Sequence, residues 1–340
     1  MAKKRRPVRI LAIDGGGIRG ILPAQVLVAL EEKLRDLDGN PDGRLADYFD
    51  FMAGTSTGGI LTCLYLCPGE NGRPKFSAEE AAGLYLKRGG AIFDVTLWRK
   101  TWTVGGMGNA SYPAGPIEKS LNDYFDQTKL SELLRPCLVP AYDIQRRRPH
   151  FFTQRDAVEK GAGWDFYAKD VCRATSAAPT FFEVARVSSR SRVPYPLIDG
   201  GVFANNPALC AYAEARQLDF DEIQKPTAKQ MVVLSLGTGV IEKSYEYDQA
   251  KDWGAIGWIR PVLDIMMTGV AETVDYQLGR MFDAVGAAGQ YVRINPALED
   301  ASPEMDDASP ENLERLRAAG TSAAVENDDK LNDVARMLVP

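Results

Sequence analysis

One histidine, His150, stands in a chain of 340 residues. That scarcity excludes every site that needs two histidines, the His-Glu-x-x-His zinc centre among them. It also leaves any serine nucleophile a single histidine from which to build a triad. Cysteine is sparse too. Five cysteines cannot all pair within one chain, and none lie in a Cys-x-x-Cys pattern. Neither a zinc ribbon nor a disulfide framework is predicted. Buried, reduced thiols of a cytoplasmic protein are expected instead. No run of about 18 apolar residues occurs, so no membrane-spanning helix is predicted. The basic start, Lys3-Lys4-Arg5-Arg6-Pro7, is followed only by the apolar run Val8–Ile13. That run is too short for the core of a secretory signal.

What is present is ordinary globular composition, 45% hydrophobic and 25% charged, which sets aside disordered and collagen-like classes. This length can bury a large core. Charge is unevenly placed. Between Glu299 and Asp333 eleven acidic residues face Arg315, Arg317 and Lys330, so a net charge of −6 leaves about +2 for the rest. Basic clusters at Lys3–Arg6, Arg146–Arg148 and Arg186–Arg192 are read as solvated loops, and no nucleic-acid partner is expected.

Val8–Ile13 is a buried-strand pattern stopped by Asp14-Gly15-Gly16-Gly17. Ile21–Leu34 repeats apolar residues at helical spacing, with Pro23 in its first turn. Tyr48–Ala53 is a second strand pattern, and Ile60–Leu66 the helix after it. Strand, glycine loop and helix thus occur twice, which points to a sheet with helices on its faces. Val95–Pro116, with Trp98 and Trp102, reads as a loop with aromatic anchors. Cys137–Tyr142 and His150–Thr153 read as a strand pair, and Met231–Leu236 as a strand. Pro261 is expected to open a long helix, and Pro310 a solvated terminal one. No linker divides the chain, so residues 1–340 are expected to form one domain, with 300–340 a polar, acidic, helical end.

Gly54-Thr55-Ser56-Thr57-Gly58 fits Gly-x-Ser-x-Gly between a predicted strand and a predicted helix. A serine there sits on a tight, strained turn that lifts its hydroxyl above the sheet and points it at a helix N-terminus. Asp14-Gly15-Gly16-Gly17-Ile18-Arg19-Gly20 admits three readings. Gly15, Gly17 and Gly20 satisfy the dinucleotide pattern, but no second strand ends in an acid ~20 residues on. A sugar-kinase phosphate loop lacks its hydroxyl. An oxyanion hole uses converging backbone N–H groups with the charge of Arg19, and needs a nucleophile such as Ser56. Asp199-Gly200-Gly201 is a turn pattern whose aspartate is a candidate base, provided it is desolvated. His150 is the rival base, although a strand-start histidine is more often structural.

Taken together these segments resemble the patatin-like phospholipases, the lipid acyl hydrolases that include plant storage patatins. The resemblance rests on Asp14–Gly20, Gly54–Gly58, Ala174-Thr175-Ser176-Ala177-Ala178-Pro179-Thr180 and Asp199–Gly201 in family order. Ser235–Gly239 and Met305–Ser309 look similar as well, so nearly the whole chain is covered. It implies an α/β fold, a three-layer α/β/α sandwich around a central, mostly parallel sheet. It implies a dyad with Ser56 as nucleophile and Asp199 as base, and an oxyanion hole from Gly15, Gly16, Gly17, Arg19 and the N–H of Thr57. No cofactor and no metal are implied. The implied substrate is a membrane glycerolipid met at the bilayer surface by a cytoplasmic, peripheral enzyme of phospholipase A or lysophospholipase type. Trp98 and Trp102, and the segment Trp253–Met267, are candidates to face lipid. The alternatives are a nucleotide- or sugar-phosphate-binding enzyme using Gly15–Gly20, and a storage protein of the same fold. Any small-molecule activator and the oligomeric state stay open.

Overall fold

The computed structural model describes residues 6–92, 113–221, 223–241 and 244–339. Its strands are β1 (Val8–Ile13), β2 (Phe51–Gly54), β3 (Cys137–Asp143), β4 (Arg148–Thr153), β5 (Ala185–Ser188), β6 (Pro194–Asp199), β7 (Asp219–Phe220), β8 (Ile223–Gln224), β9 (Met231–Leu236) and β10 (Tyr291–Ile294). The main sheet runs β10-β9-β1-β2-β3-β6-β5, with β4 also on β3; β7 and β8 form a separate hairpin. From β10 to β3 all pairings are parallel, whereas β4, β5 and β6 pair antiparallel.

All six residues of β1 are buried, as in a parallel strand covered on both faces. Alternation sends Leu11 and Ile13 to one side, against Val26, Leu27, Leu30 and Leu34 of the Ile21–Asp38 helix. Val8, Ile10 and Ala12 go to the other, against Ala208 and Ala211 and against Val274, Leu278 and Phe282 of the Ala255–Ala284 helix. The architecture is the expected three-layer α/β/α sandwich with a mostly parallel sheet.

Local boundaries differ from the sequence reading where side chains intervene. Residues 48–50 are not strand. Leu45–Tyr48 is a helical turn, capped by the Asp47 carboxylate on the Arg44 N–H at 2.9 Å. The Asp50 carboxylate instead grips Arg9, accepting from its backbone N–H and its guanidinium. Pro261 lies inside its helix, which begins at Ala255. The acidic end is not a solvated helix. Two helices, Pro310–Glu326 and Asp328–Leu338, dock on Ile21–Asp38. Their apolar stripe buries Leu316, Ala319, Leu331 and Val334, while Glu311, Glu314, Asp328 and Asp329 point outward. The Arg9 guanidinium closes the contact by donating to the Leu338 carbonyl at 2.7 Å. Trp98 and Trp102 lie outside the described residues. The loop expected to reach Pro116 gives way to a helix from Ala114 to Phe125.

Candidate active site

Ser56 stands between β2 and the Thr57–Leu66 helix with φ 53° and ψ −120°. A side-chain-bearing residue seldom adopts this backbone, so the surroundings must hold it. They do so through hydroxyls. The Ser56 N–H donates to Thr175 Oγ1 at 2.9 Å, and that hydroxyl donates to the Pro140 carbonyl at 2.6 Å. Thr55 Oγ1 donates to the Ala204 carbonyl at 2.6 Å. The flanking glycines are required by space. A Cβ on Gly54 would lie 2.0 Å from the Gly58 carbonyl oxygen, and one on Gly58 2.2 Å from that of Ile13.

Asp199 arrives from the opposite direction. β4 runs along Leu138–Asp143 of β3, so β2 and β6 share the other edge. β2 pairs there as far as Leu138, and β6 descends to Ala141. Their C-terminal ends point at each other across Val139 and Pro140, and Ser56, two residues past β2, faces Asp199, the last residue of β6. Ser56 and Asp199 are both buried. Burial pushes the Asp199 carboxyl up to about 7, while the facing Ser56 hydroxyl and the Gly201 N–H, at 2.7 Å, pull it back. A carboxylate so desolvated is a far better base than one in water.

The glycine loop packs beside Ser56. Asp14 anchors it through a paired contact with the Arg293 guanidinium, at 3.0 and 2.6 Å. Thr238 Oγ1 donates to the Gly15 carbonyl at 2.7 Å. The Gly15 N–H is already taken by the Asn205 carbonyl at 3.1 Å. Among the described residues the N–H groups of Gly16, Gly17 and Thr57 have no acceptor, and Gly17 and Thr57 line the cavity that holds Ser56. Arg19 does not join them. It lines a second, polar cavity with Asp264, Glu272 and Arg293, and its Nε donates to the Gly16 carbonyl at 3.4 Å. Burial lowers it to about 10.

The loop's glycines are small because the protein's own chain abuts them. A Cβ on Gly16 would lie 2.2 Å from Thr238 Oγ1; one on Gly17, where φ is +59°, would lie 2.3 Å from the Met305 carbonyl oxygen. The Ile18 N–H is also spent on that carbonyl, at 2.9 Å. A pyrophosphate would need the same space and donors, which counts against the nucleotide reading.

Ser56 and Asp199 line a cleft walled by Ile60, Leu64, Leu84, Ile117, Leu121 and Phe181. A hydroxyl and a carboxylate among mostly apolar walls suit a ligand with one reactive polar link and a hydrocarbon part. The family model for patatin-like phospholipases matches residues 11–212. The chain belongs to the patatin-like phospholipase family. Patatin-like protein 2 of rice (Oryza sativa) is 33% identical over 97% of this chain and 87% of its own. Patatin-04/09 of potato (Solanum tuberosum) is 34% identical over 94% of this chain and 84% of its own. Among solved structures, VipD from Legionella pneumophila aligns over 97% of this chain and 67% of its own, at 12% identity and TM-score 0.37. That likeness is too slight to bear on function. Membership places the chain among lipid acyl hydrolases.

In this patatin-like chain His150 is remote from the dyad candidates' contact. It pairs with Ala141 on the β4 edge, opposite Asp199, and its ring is enclosed by Phe152, Phe166 and Tyr195 at 4.5–5.8 Å. Burial drops its pKa to about 4. Sequence reasoning missed the supporting residues. Thr175 and Thr238 stand in segments that carry the family resemblance, but no local pattern gives either hydroxyl its partner. Arg293 had a legible signal, a lone charge within the apolar strand Tyr291–Ile294. Tyr85 had none; its hydroxyl donates to the Thr57 carbonyl and accepts from Thr57 Oγ1, both at 2.8 Å.

Proposed function

We propose that the chain hydrolyses fatty acyl esters of membrane glycerolipids through a Ser56–Asp199 dyad and an acyl-enzyme. The supporting observation is the juxtaposition of a strained Ser56 with a buried aspartate whose pKa lies near 7. In the first half-reaction Ser56 Oγ attacks the ester carbonyl carbon and its proton passes to Asp199. The oxyanion is met by N–H groups of Gly16, Gly17 and Thr57, already fixed before substrate arrives. The C–O bond to the glycerol moiety then breaks, and Asp199 returns the proton to the leaving oxygen. In the second half-reaction water gives its proton to Asp199 and attacks the acyl carbon. Ser56 leaves with that proton, and a fatty acid is released.

The acyl chain occupies the apolar cleft, and the chemistry calls on no metal or cofactor. Five unpaired cysteines accord with a cytoplasmic enzyme working peripherally at a membrane surface. A fluorophosphonate probe tests the reading. The account expects a covalent adduct on Ser56, absent from Ser56→Ala and formed far more slowly in Asp199→Asn. An adduct elsewhere, or equal labelling of Asp199→Asn, would remove the dyad.

A further inference from the structure

The Ala255–Ala284 helix has two unlike faces. One turns inward. Ala271, Val274, Leu278 and Phe282 are buried, and Met267 lines the Ser56 cleft, its Cε 3.2 Å from where a Cβ on Gly201 would stand. The other face carries Trp258, Val262, Ile265 and Met266, spaced i, i+4, i+7 and i+8, and therefore one stripe. These side chains are 40–46% exposed. An apolar stripe turned to water is the reverse of what a core-covering helix presents. Beside it stands an aromatic stack, Tyr245 on Trp253 at 5.3 Å and Trp253 on Trp258 at 5.1 Å. Tryptophan and tyrosine with an apolar body and a polar edge suit the boundary between hydrocarbon and water.

We infer that this stripe, with Trp258, Val262, Ile265 and Met266 at its centre, seats the protein on a lipid surface that bears no net negative charge. The inference rests on the lipid-hydrolase reading above. Two observations select the occupant. The first is continuity: one helix presents the stripe outward and Met267 to the cleft, so a lipid drawn from a surface at this face reaches Ser56 beside the same helix. The second is charge. Among the side chains described in residues 244–264, Glu246, Asp248, Asp252 and Asp264 are acidic and Lys251 is basic. Asp264 accepts from the Tyr245 hydroxyl at 3.0 Å, and the charge of Glu304 also acts on that hydroxyl. A docking surface for anionic lipid carries a cluster of lysines and arginines; this one is mildly acidic. Zwitterionic or uncharged headgroups fit it, and docking then depends on apolar insertion rather than on salt.

The test combines vesicle flotation, hydrolysis of a soluble ester and oligomeric state for the wild-type protein, Val262→Glu/Ile265→Glu and the control Val325→Glu. Val325 is 71% exposed on a distant helix. Vesicles are pure phosphatidylcholine or phosphatidylcholine mixed with phosphatidylglycerol. The expected result is wild-type binding to pure phosphatidylcholine, not improved by phosphatidylglycerol, and weakened about tenfold or more in the double variant. Hydrolysis of a short, monomeric soluble ester stays at the wild-type rate in both variants. Undiminished flotation of the double variant, or binding that requires phosphatidylglycerol, would overturn the inference. A wild type that self-associates through this face, becoming monomeric in the double variant, would overturn it too. Flotation does not need catalysis, so failure of the dyad shows separately, as wild type inert on the soluble ester.

Discussion

Asp199 and His150 are both register partners of Ala141, one on each edge of β3, and only Asp199 shares the cleft with Ser56. Two strand spacings, about 10 Å, separate their backbones. The lone histidine is therefore enclosed by aromatic rings, while the aspartate faces the hydroxyl.

His150→Phe replaces one ring by another within the cluster of Phe152, Phe166 and Tyr195. It also removes the buried Nε2, which has no partner among the described residues. Ester hydrolysis should stay within about twofold of wild type, with unchanged or higher thermal stability. A folded variant without activity would return histidine to the mechanism.

The base must be ionised to accept the serine proton, and burial holds Asp199 near 7. On a soluble ester, kcat/KM should rise as pH passes through about 7 and level off above it. An inflection near the ordinary aspartate value of about 4 would show that the group is not the desolvated carboxyl described here.

The same burial sets a stability trend. A carboxyl whose pKa is raised on folding from 3.8 to about 7 contributes nothing unfavourable below about 4, where both states are protonated. As pH rises from about 4 to about 7 the folded state loses up to roughly 4 kcal/mol relative to the unfolded one, and the loss levels off above that. Asp199→Asn should therefore raise Tm at pH 8 and leave it nearly unchanged at acid pH, while ester hydrolysis is abolished. Equal Tm differences at both pH values would contradict the assignment.

Thr175→Val removes the hydroxyl that joins the Ser56 N–H to the Pro140 carbonyl. Leaving buried polar groups unpaired should cost roughly 1–3 kcal/mol of stability. The turn at Ser56 should relax, lowering kcat more than it raises KM. Thr175→Ser keeps the hydroxyl and should restore most of both, whereas a loss of packing alone would not be rescued this way.

Much of this was legible in the sequence. β1, β9 and the helices after the glycine loops show their apolar periods directly, and Ser56, Asp199 and the Gly15–Gly17 loop stand in short patterns with steric reasons. The supporting residues were not. Thr175 reaches Ser56 across more than a hundred residues, and no local pattern encodes such a contact. The charge of Arg19 and the family resemblance both point to the oxyanion, yet Arg19 lines the neighbouring cavity with Asp264 and Glu272. The acidic count after Glu299 suggested a solvated end, because composition ignores which helical face carries Leu316, Leu331 and Val334.

Lipid-product mass spectrometry on mixed natural membranes, comparing wild type with Ser56→Ala, tests the central claim most directly. The account predicts free fatty acids and the matching deacylated glycerolipids with wild type, and none above background with folded Ser56→Ala. Equal product from the two proteins would contradict it.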